Sequence, residues 1–408
     1  MNKHISALAV ALLAAVTYCR GTHANTITDW DTRATAAASP AALGERETAI
    51  VDLAMFDAVN SISRRYHPYL VQMAVAQPAS ADAAAASAAA TALTLLHPQA
   101  ANDFKNALAE NLKVLSATPA EIETGARLGE TVARQIVESR VADGATDTDP
   151  YRPKTKAGQY VPTATMVCST WPTMRPFALE SPSQFRPGPP PALDSHEWAA
   201  DYNEIKDVGG KTSSTRTAQQ TEVARFWLMT GPQAYHPLAR QIILNRHMDL
   251  VDSARSMAVF ALTLTDAYIA AFDAKYKYEF WRPVTAIRNG DVDDNPATVQ
   301  DPTWQPLDAT PMHPEYPCAH CIQSSAARVV LESLAAGQGI PELSLTSLTA
   351  PGITHRWSNL EDFTTEVANA RIWAGFHYRF STRVGTTLGR QVAQYVIGKT
   401  MQPIVAQP

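Results

Sequence analysis

Two histidines and two cysteines lie close together in one proline-rich stretch of eleven residues, 311–321. In chain order they are His313, Cys318, His320 and Cys321. The prolines keep the first part of the stretch extended, so we predict that a helix begins near Cys318 or Ala319. Unpaired N–H groups at a helix start attract anions, and a histidine can donate or accept a proton near neutral pH. The stretch therefore predicts an oxyanion site served by His320.

Two cations lie near the end of an earlier predicted helix, whose apolar residues recur at intervals of three and four. Extending this helix by 100° per residue places Lys275 and Arg282 on its apolar side, and Lys277 on the opposite side. Buried cations cost free energy unless an anion meets them. The alternative is that the lysine ammonium reaches solvent and the arginine pairs with a carboxylate such as Glu279.

A third stretch completes a pattern that is known from two related families. The chain reads Lys275-x6-Arg282-Pro283, then Pro317-Cys318-Ala319-His320, then Ala370-Arg371-x5-His377-x3-Ser381. In order and spacing this resembles the signature Lys-x6-Arg-Pro, Pro-Ser-Gly-His, Ser-Arg-x5-His-x3-Asp. That signature is shared by vanadium-dependent haloperoxidases and type 2 phosphatidic acid phosphatases. The segments 54–60, 171–191, 195–209 and 212–227 also resemble bacterial-type haloperoxidases, so the resemblance extends over most of the chain.

The resemblance implies a role for each matching residue. Vanadate, or phosphate in the phosphatase alternative, would be held by Lys275, Arg282, Arg371 and the backbone N–H groups near Cys318 and Ala319. His377 would be the vanadium ligand of a peroxidase or the nucleophile that forms phosphohistidine in a phosphatase. His320 would be the general acid–base. His313 and Phe272 fall where the haloperoxidases line the halide side of the site, which favours the peroxidase branch.

Four positions depart from the signature. Cys318 replaces serine, so it donates a weaker hydrogen bond and can be oxidised by peroxide. Ala319 replaces glycine and adds a methyl group near the anion, and Ala370 replaces the serine that matters least. Ser381 replaces the acid that orients the essential histidine. Because a hydroxyl supplies no charge, we expect His377 to be a weaker ligand or nucleophile.

Three classes of function follow from these residues. We predict a haloperoxidase-like enzyme that takes peroxide and halide. A soluble acid phosphatase that acts on phosphomonoesters through phosphohistidine is the first alternative. A protein that binds an oxyanion or a metal without catalysis is the second; in the metal case His313, Cys318, His320 and Cys321 would hold zinc or copper. Cys318 and Cys321 could equally form a redox pair.

Composition and the N-terminus set the context. The chain has 408 residues, of which 46% are hydrophobic, and its net charge of -5 gives no reason to expect a nucleic-acid partner. Residues 1–24 read as a signal peptide cleaved near Ala24, which predicts a secreted or periplasmic protein. No later stretch approaches the length of a transmembrane segment. Three cysteines remain after cleavage, so at least one thiol is unpaired. The sequence does not indicate an oligomeric state.

Helical periodicity dominates the rest of the chain, and no alternating strand pattern of useful length occurs. The predicted fold class is all-α, a helical bundle of the vanadium haloperoxidase and acid phosphatase type with long irregular loops. We expect a helical part with a proline-rich wrapping segment over 25–195 and the catalytic helices over 196–408. The two parts are expected to form one integrated unit.

Overall fold

The computed structural model describes residues 25–147, 151–335 and 337–404, so the predicted signal peptide lies outside the described residues. Within these ranges the chain forms thirteen α-helices and one two-stranded sheet. The helices are α1 Thr26–Ala37, α2 Ala41–Ser63, α3 Ala81–Leu96, α4 Ala101–Lys113, α5 Pro119–Ser139, α6 His196–Gly209, α7 Ala218–Phe226, α8 His236–Asn245, α9 Leu250–Tyr278, α10 Pro283–Arg288, α11 Ala319–Ala335, α12 Leu360–Trp373 and α13 Arg379–Lys399. The predicted all-α class is confirmed.

The alanine-rich helix α3 is packed closely against its neighbours α2 and α5. Its residues 83–90 are all buried, because small side chains let the helix axes approach each other. On α5, a Cβ atom added at Gly129 would lie 2.1 Å from the carbonyl oxygen of Ala84. The low-complexity alanine run is therefore part of a tight helix–helix contact, as its helical propensity predicts.

Helix α9 is the central element of the fold. It packs against α2, α11 and α13, and nearly every residue from Val251 to Lys275 is buried. By length and composition α9 could cross a membrane, which corrects the expectation that no stretch after the signal peptide is long and apolar enough. Its apolar part is wholly buried inside the protein, so here it serves as the core helix.

The proline-rich segment between α5 and α6 is an ordered coil in its described residues, with one short 3-10 turn at Trp171–Thr173. Two carboxylates on α9 fasten it. Asp266 accepts the backbone N–H groups of Phe177, Ala178 and Leu179 at 2.7, 2.7 and 2.9 Å. Asp273 forms an ion pair with Arg186 at 2.6 Å. The segment therefore packs along α9, which supplies the acceptors that a coil without regular structure needs.

A β-hairpin between α11 and α12 was not expected from the sequence. Its strands are β1 Leu343–Ser347 and β2 Ala350–Trp357, paired antiparallel with Leu343 opposite Trp357. Buried residues alternate along β1, but the strand has only five residues. A pattern this short is not distinguishable from a loop by periodicity alone.

The described residues share one main hydrophobic core. It contains side chains of α1 to α5, such as Trp30 and Phe56, together with side chains of α9 and α11 to α13, such as Phe260 and Val392. A second, aromatic cluster surrounds Trp198 and includes Trp281. The main cluster thus contains side chains from both 25–195 and 196–408.

Candidate active site

The start of helix α11 lies where the sequence predicts it, but its donors are used differently. The backbone N–H of Cys318 donates to the carbonyl oxygen of Ser381 at 3.2 Å. The Cys318 Sγ atom accepts the N–H of Cys321 at 3.3 Å, which caps the helix. The prediction that the Cys318 N–H faces an anion is therefore wrong. The N–H groups of Ala319 and His320, the first two residues of α11, have no acceptor among the described residues and are the donors that remain at this end.

Helix α13 brings Ser381 and the start of α11 into contact. A Cβ atom added at Gly385 would lie 2.7 Å from the carbonyl oxygen of Cys318. The absence of a side chain at Gly385 thus lets α13 approach the end of α11, and the Ser381 carbonyl reaches the Cys318 N–H as a result.

Lys275 and Arg282 are both fully buried, but they do not lie on one continuous helix. Helix α9 ends at Tyr278, Glu279 adopts a left-handed backbone with φ of 48°, and Arg282 precedes the new helix α10. The helical extrapolation to Arg282 is therefore wrong, although its conclusion that the two cations come together holds. Lys277 is exposed, as predicted. Glu279 pairs with Lys154 and leaves Arg282 without that carboxylate.

These two cations hold the loop that leads into α11. The Lys275 ammonium donates to the carbonyl oxygens of Pro314 and Glu315 at 3.0 and 2.8 Å. An ammonium has three N–H groups, so one remains for another acceptor. The Arg282 guanidinium donates through Nε to the His313 carbonyl at 2.8 Å and through Nη1 to the Phe376 carbonyl at 2.9 Å.

Arg371 has an unused donor. It lies near the end of α12 with an exposed fraction of only 2%. Its Nη1 donates to the carbonyl oxygen of Trp227 at 2.5 Å, and its guanidinium lies over the ring of Phe376 at 4.9 Å from the centroid. The Nε–H has no partner among the described residues. A buried charged donor without an acceptor is costly, so this N–H fits an anion that completes the site.

His377 is held by a carboxylate that the sequence analysis did not identify. Its Nδ1 lies 2.8 Å from Oε1 of Glu315, which also accepts the backbone N–H of Tyr378 at 3.1 Å. The other ring nitrogen, Nε2, lies 3.3 Å from Nη1 of Arg282. A carboxylate accepts and a guanidinium donates. The partners therefore assign the ring proton to Nδ1 and leave a lone pair on Nε2.

This arrangement corrects the expectation for Ser381. The residue was expected to be the weak hydroxyl partner of His377, but its Oγ atom makes no hydrogen bond to the imidazole and lies beside the carboxyl group of Glu315. His377 therefore has a carboxylate partner after all, supplied from the loop before α11. The sequence signal was a single acid, between Pro314 and Tyr316 in the proline-rich stretch 311–321.

Burial and the cations shift the pKa values of the site. Burial, with Arg282 close by, holds the pKa of Lys275 well below its usual value. Burial also lowers the pKa of His377 and of His320, with further lowering from Arg282 and from Arg371 respectively. Both imidazoles are therefore neutral near pH 7. Burial raises the pKa of Glu315 to about 7, against the lowering effect of Lys275.

His320 and the predicted halide side complete the site. The Nε2 atom of His320 lies 3.1 Å from the carbonyl oxygen of Met229, which assigns the proton to Nε2 and leaves a lone pair on Nδ1. The rings of His313 and Phe272 meet edge to face with centroids 5.3 Å apart. His313 also lies next to the arginine of the site, since its Nδ1 is 3.0 Å from Nη2 of Arg282.

The zinc or copper alternative finds no support in the described residues. They bring together only one group of three potential ligands, and it is Asp31, Asp52 and His236 rather than the residues of 313–321. In that group both ring nitrogens of His236 already face carboxylates, of Asp31 at 2.7 Å and of Glu45 at 3.2 Å. Although burial opposes it, Asp31 and Glu45 raise the pKa of His236 to about 10. A protonated imidazole is no metal ligand.

The three cysteines in the described residues are all free thiols. Cys318 and Cys321 are fully buried beside each other at the start of α11. Cys168 is elsewhere, in the wrapping segment, and only partly exposed. The prediction that at least one thiol is unpaired is therefore confirmed.

Comparison with known proteins places these residues in a family context. Residues 255–406 match the family model described as the VCPO second helical-bundle domain. A stretch of 181 residues, 36% of this chain, is 28% identical to vanadium chloroperoxidase from Curvularia inaequalis. The aligned part spans only 29% of that relative's length.

Solved structures extend the similarity to nearly the whole chain. The first bacterial vanadium-dependent iodoperoxidase superposes with a TM-score of 0.76 at 23% identity, covering 92% of this chain and 95% of that one. A holo-type bacterial vanadium-dependent chloroperoxidase superposes with a TM-score of 0.70 at 17% identity, covering 87% and 91%. The chain therefore has the vanadium haloperoxidase fold, and its residues 255–406, which contain every oxyanion-site residue named above, match the model of the VCPO second helical-bundle domain.

Proposed function

We propose that this protein binds vanadate and oxidises a halide with hydrogen peroxide. One observation carries the proposal: the Nδ1–H of His377 donates to the Glu315 carboxylate, so the Nε2 lone pair faces the buried cations, 3.3 Å from Nη1 of Arg282. A neutral imidazole with a fixed lone pair is the form that binds a metal centre. The related proteins named above are chloroperoxidases and an iodoperoxidase, so the halide itself is left open.

The donors of the site fit a tetrahedral oxyanion. Arg371 has a buried Nε–H without a partner, Lys275 has one N–H left after its two carbonyl contacts, and the Ala319 N–H begins α11. These groups come from three helices, so they can surround an anion rather than meet it from one side. When bound, vanadate supplies the electrophilic centre that activates peroxide toward a halide.

The chain's own residues would handle protons and water. His320 keeps its Nε2 proton on the Met229 carbonyl and has a lone pair on Nδ1. Because its pKa lies well below the usual value, this nitrogen is free at neutral pH to accept a proton when hydrogen peroxide enters. The ring edges of His313 and Phe272 form an apolar wall beside Arg282, which favours a weakly hydrated anion such as a halide.

Phosphatase activity is the second candidate, and the Glu315 carboxylate favours it. A phosphohistidine nucleophile needs a carboxylate partner on its far nitrogen. From the sequence, Ser381 supplies no charge and His377 is expected to be a weaker nucleophile, but in the structure Glu315 lies 2.8 Å from Nδ1 of His377. Phosphate and vanadate also have nearly the same shape and charge, so the cation cluster serves either.

The test separates the candidates in one protein preparation. Protein freed of phosphate is assayed for iodide and bromide oxidation with peroxide, with and without added vanadate, and for hydrolysis of a phosphomonoester without vanadate. Lys277→Gln serves as the matched control, because that cation is exposed near the end of α9. Halide oxidation that requires vanadate supports the proposal. Robust hydrolysis without halide oxidation identifies a phosphatase, and anion binding without either activity identifies a non-catalytic binder.

We also propose that the protein is exported through the signal peptide at residues 1–24, which lies outside the described residues. Mass spectrometry of the mature N-terminus tests this. A chain that begins at Asn25 is expected, and a retained Met1 in exported material would contradict the cleavage site.

A further inference from the structure

We propose that Glu315 is the positioning residue of His377, and that it supplies from the loop before α11 the carboxylate that the family signature places at position 381 on α13. The sequence predicts a defective site, since Ser381 provides no charge. The structure instead has one carboxylate on the imidazole, in a different part of the chain. The inference rests on the proposed oxyanion site but not on which reaction that site catalyses.

The contacts of Glu315 fix its orientation. Its backbone N–H donates to the Phe280 carbonyl at 2.9 Å, and its backbone carbonyl accepts the Lys275 ammonium at 2.8 Å. Its side-chain Oε1 accepts from Nδ1 of His377 at 2.8 Å and from the Tyr378 N–H at 3.1 Å. Both the carboxyl group and the imidazole are almost completely buried, with exposed fractions of 0% and 1%. A side chain held at both ends in this way determines which ring nitrogen carries the proton.

The residue at 381 faces the same place from α13. The Ser381 Oγ atom lies beside the Glu315 carboxyl group, where its hydroxyl lowers the pKa of that group, and both Oγ and Oε2 of Glu315 are buried. A carboxylate at 381 would therefore meet the Glu315 carboxylate in a region with little water. Two carboxylates that lie side by side in a buried region repel each other. We infer that positions 315 and 381 are alternatives, so that the site accommodates one acid but not two.

We predict that Ser381→Asp strengthens phosphate binding in a Glu315→Gln variant and weakens it in the otherwise unchanged protein. At pH 8, above the pKa of Glu315 of about 7, Glu315→Gln keeps the size of the side chain and removes its charge, so phosphate binding should weaken by about 10- to 100-fold, as is typical when the partner of a ligand is lost. Adding Ser381→Asp to that variant restores a carboxylate next to Nδ1 of His377 and should recover most of the binding. In the otherwise unchanged protein, Ser381→Asp places two acids together and should weaken binding.

Inorganic phosphate is the probe, titrated calorimetrically into phosphate-free protein, with thermal unfolding measured for every variant. Glu45→Gln is the matched control, since Glu45 is another buried glutamate whose carboxylate faces a histidine, His236, outside the oxyanion site. It should change the unfolding midpoint without the same loss of phosphate affinity. A Glu315→Gln variant that binds phosphate as well as the unaltered protein overturns the proposal, and so does a Ser381→Asp variant that binds more tightly.

A second measurement needs no variant that could fail to fold. Nitrogen-15 NMR of histidine-labelled protein reports which ring nitrogen carries the proton, with His377→Gln identifying the resonance. We expect Nδ1 of His377 to be protonated in the phosphate-free protein. A proton on Nε2 would overturn the role of Glu315, whatever the protein catalyses. If the unaltered protein binds neither phosphate nor vanadate while Nδ1 is protonated, the proposed function fails and the positioning role stands.

Discussion

Replacement of Arg371 tests whether the buried cations bind the anion specifically. The guanidinium is 2% exposed, contacts the Trp227 carbonyl through Nη1 and has an unpartnered Nε–H. Arg371→Lys keeps a positive charge but removes the forked donor geometry. Loss of one charge-assisted hydrogen bond costs about 1.5–3 kcal/mol. Because about 1.4 kcal/mol corresponds to a tenfold change in Kd, phosphate and vanadate binding should weaken by about 10- to 150-fold.

The assay is calorimetric titration of phosphate and of vanadate at two salt concentrations, with thermal unfolding as the check on folding. The matched control is Lys277→Gln, which removes an exposed cation close to Lys275 in sequence. An exposed charge is screened by salt and should change the affinity by no more than about twofold. Equal losses in the two variants would mean that general attraction, rather than this site, binds the anion. Failure of phosphate to compete with vanadate would likewise refute a shared site.

Three further predictions concern oxidation, stability and pH. Cys318→Ser should slow inactivation by peroxide during turnover, because it removes a buried oxidisable thiol and keeps a side chain that can accept the Cys321 N–H; faster inactivation, followed as residual activity, would contradict this. Asp266→Ala should lower the free energy of unfolding by about 3–5 kcal/mol in urea titrations, because three backbone N–H groups of the wrapping segment, two of them buried, lose their acceptor. A change below about 1 kcal/mol would show that the segment is held by other contacts. Burial raises the pKa of Asp57 to about 6 from 3.8, so the folded protein holds this proton more tightly than the unfolded chain does. The stabilisation from protonated Asp57 is fully present below pH 3.8 and is lost as the pH rises through 6. Between pH 4 and pH 7 the unaltered protein should therefore lose about 2 kcal/mol relative to Asp57→Asn; parallel pH profiles from urea unfolding would contradict the shifted pKa.

The sequence predicts the helices well where local signals are strong. Thr118 before Pro119 forms the start of α5 with a capping box to Glu121, and α12 begins after Asn359, whose side chain caps it. Local signals fail where the chain changes direction without a proline or glycine. Glu279 takes a left-handed conformation that is uncommon for a residue with a Cβ atom, so the end of α9 before Arg282 could not be deduced from periodicity.

The sequence predicts which residues make up the candidate site, but it does not predict all of their contacts. The motif spacing identifies Lys275, Arg282 and Arg371 as members of the site. Because buried charges cost free energy, these cations also indicate that an anion binds there. The partner of His377 depends instead on how α13 packs against the loop before α11, which is a tertiary contact across 62 residues of sequence. No local sequence pattern indicates a contact between residues so far apart in the chain. Position 381 alone therefore indicates that His377 lacks a carboxylate partner, whereas the folded chain provides one from Glu315.

The same packing changes how Cys318 contributes to the site. A serine at this position would be expected to offer the anion both its hydroxyl and its N–H, but here Sγ accepts the Cys321 N–H and the Cys318 N–H donates to the Ser381 carbonyl. Both groups serve the junction of α11 and α13. The anion is then left with the N–H groups of Ala319 and His320 and with the cations, above all the unpartnered Nε–H of Arg371. Charge rather than directed backbone donors would therefore dominate binding, and for this reason the loss at Arg371 should exceed any effect of restoring serine at 318.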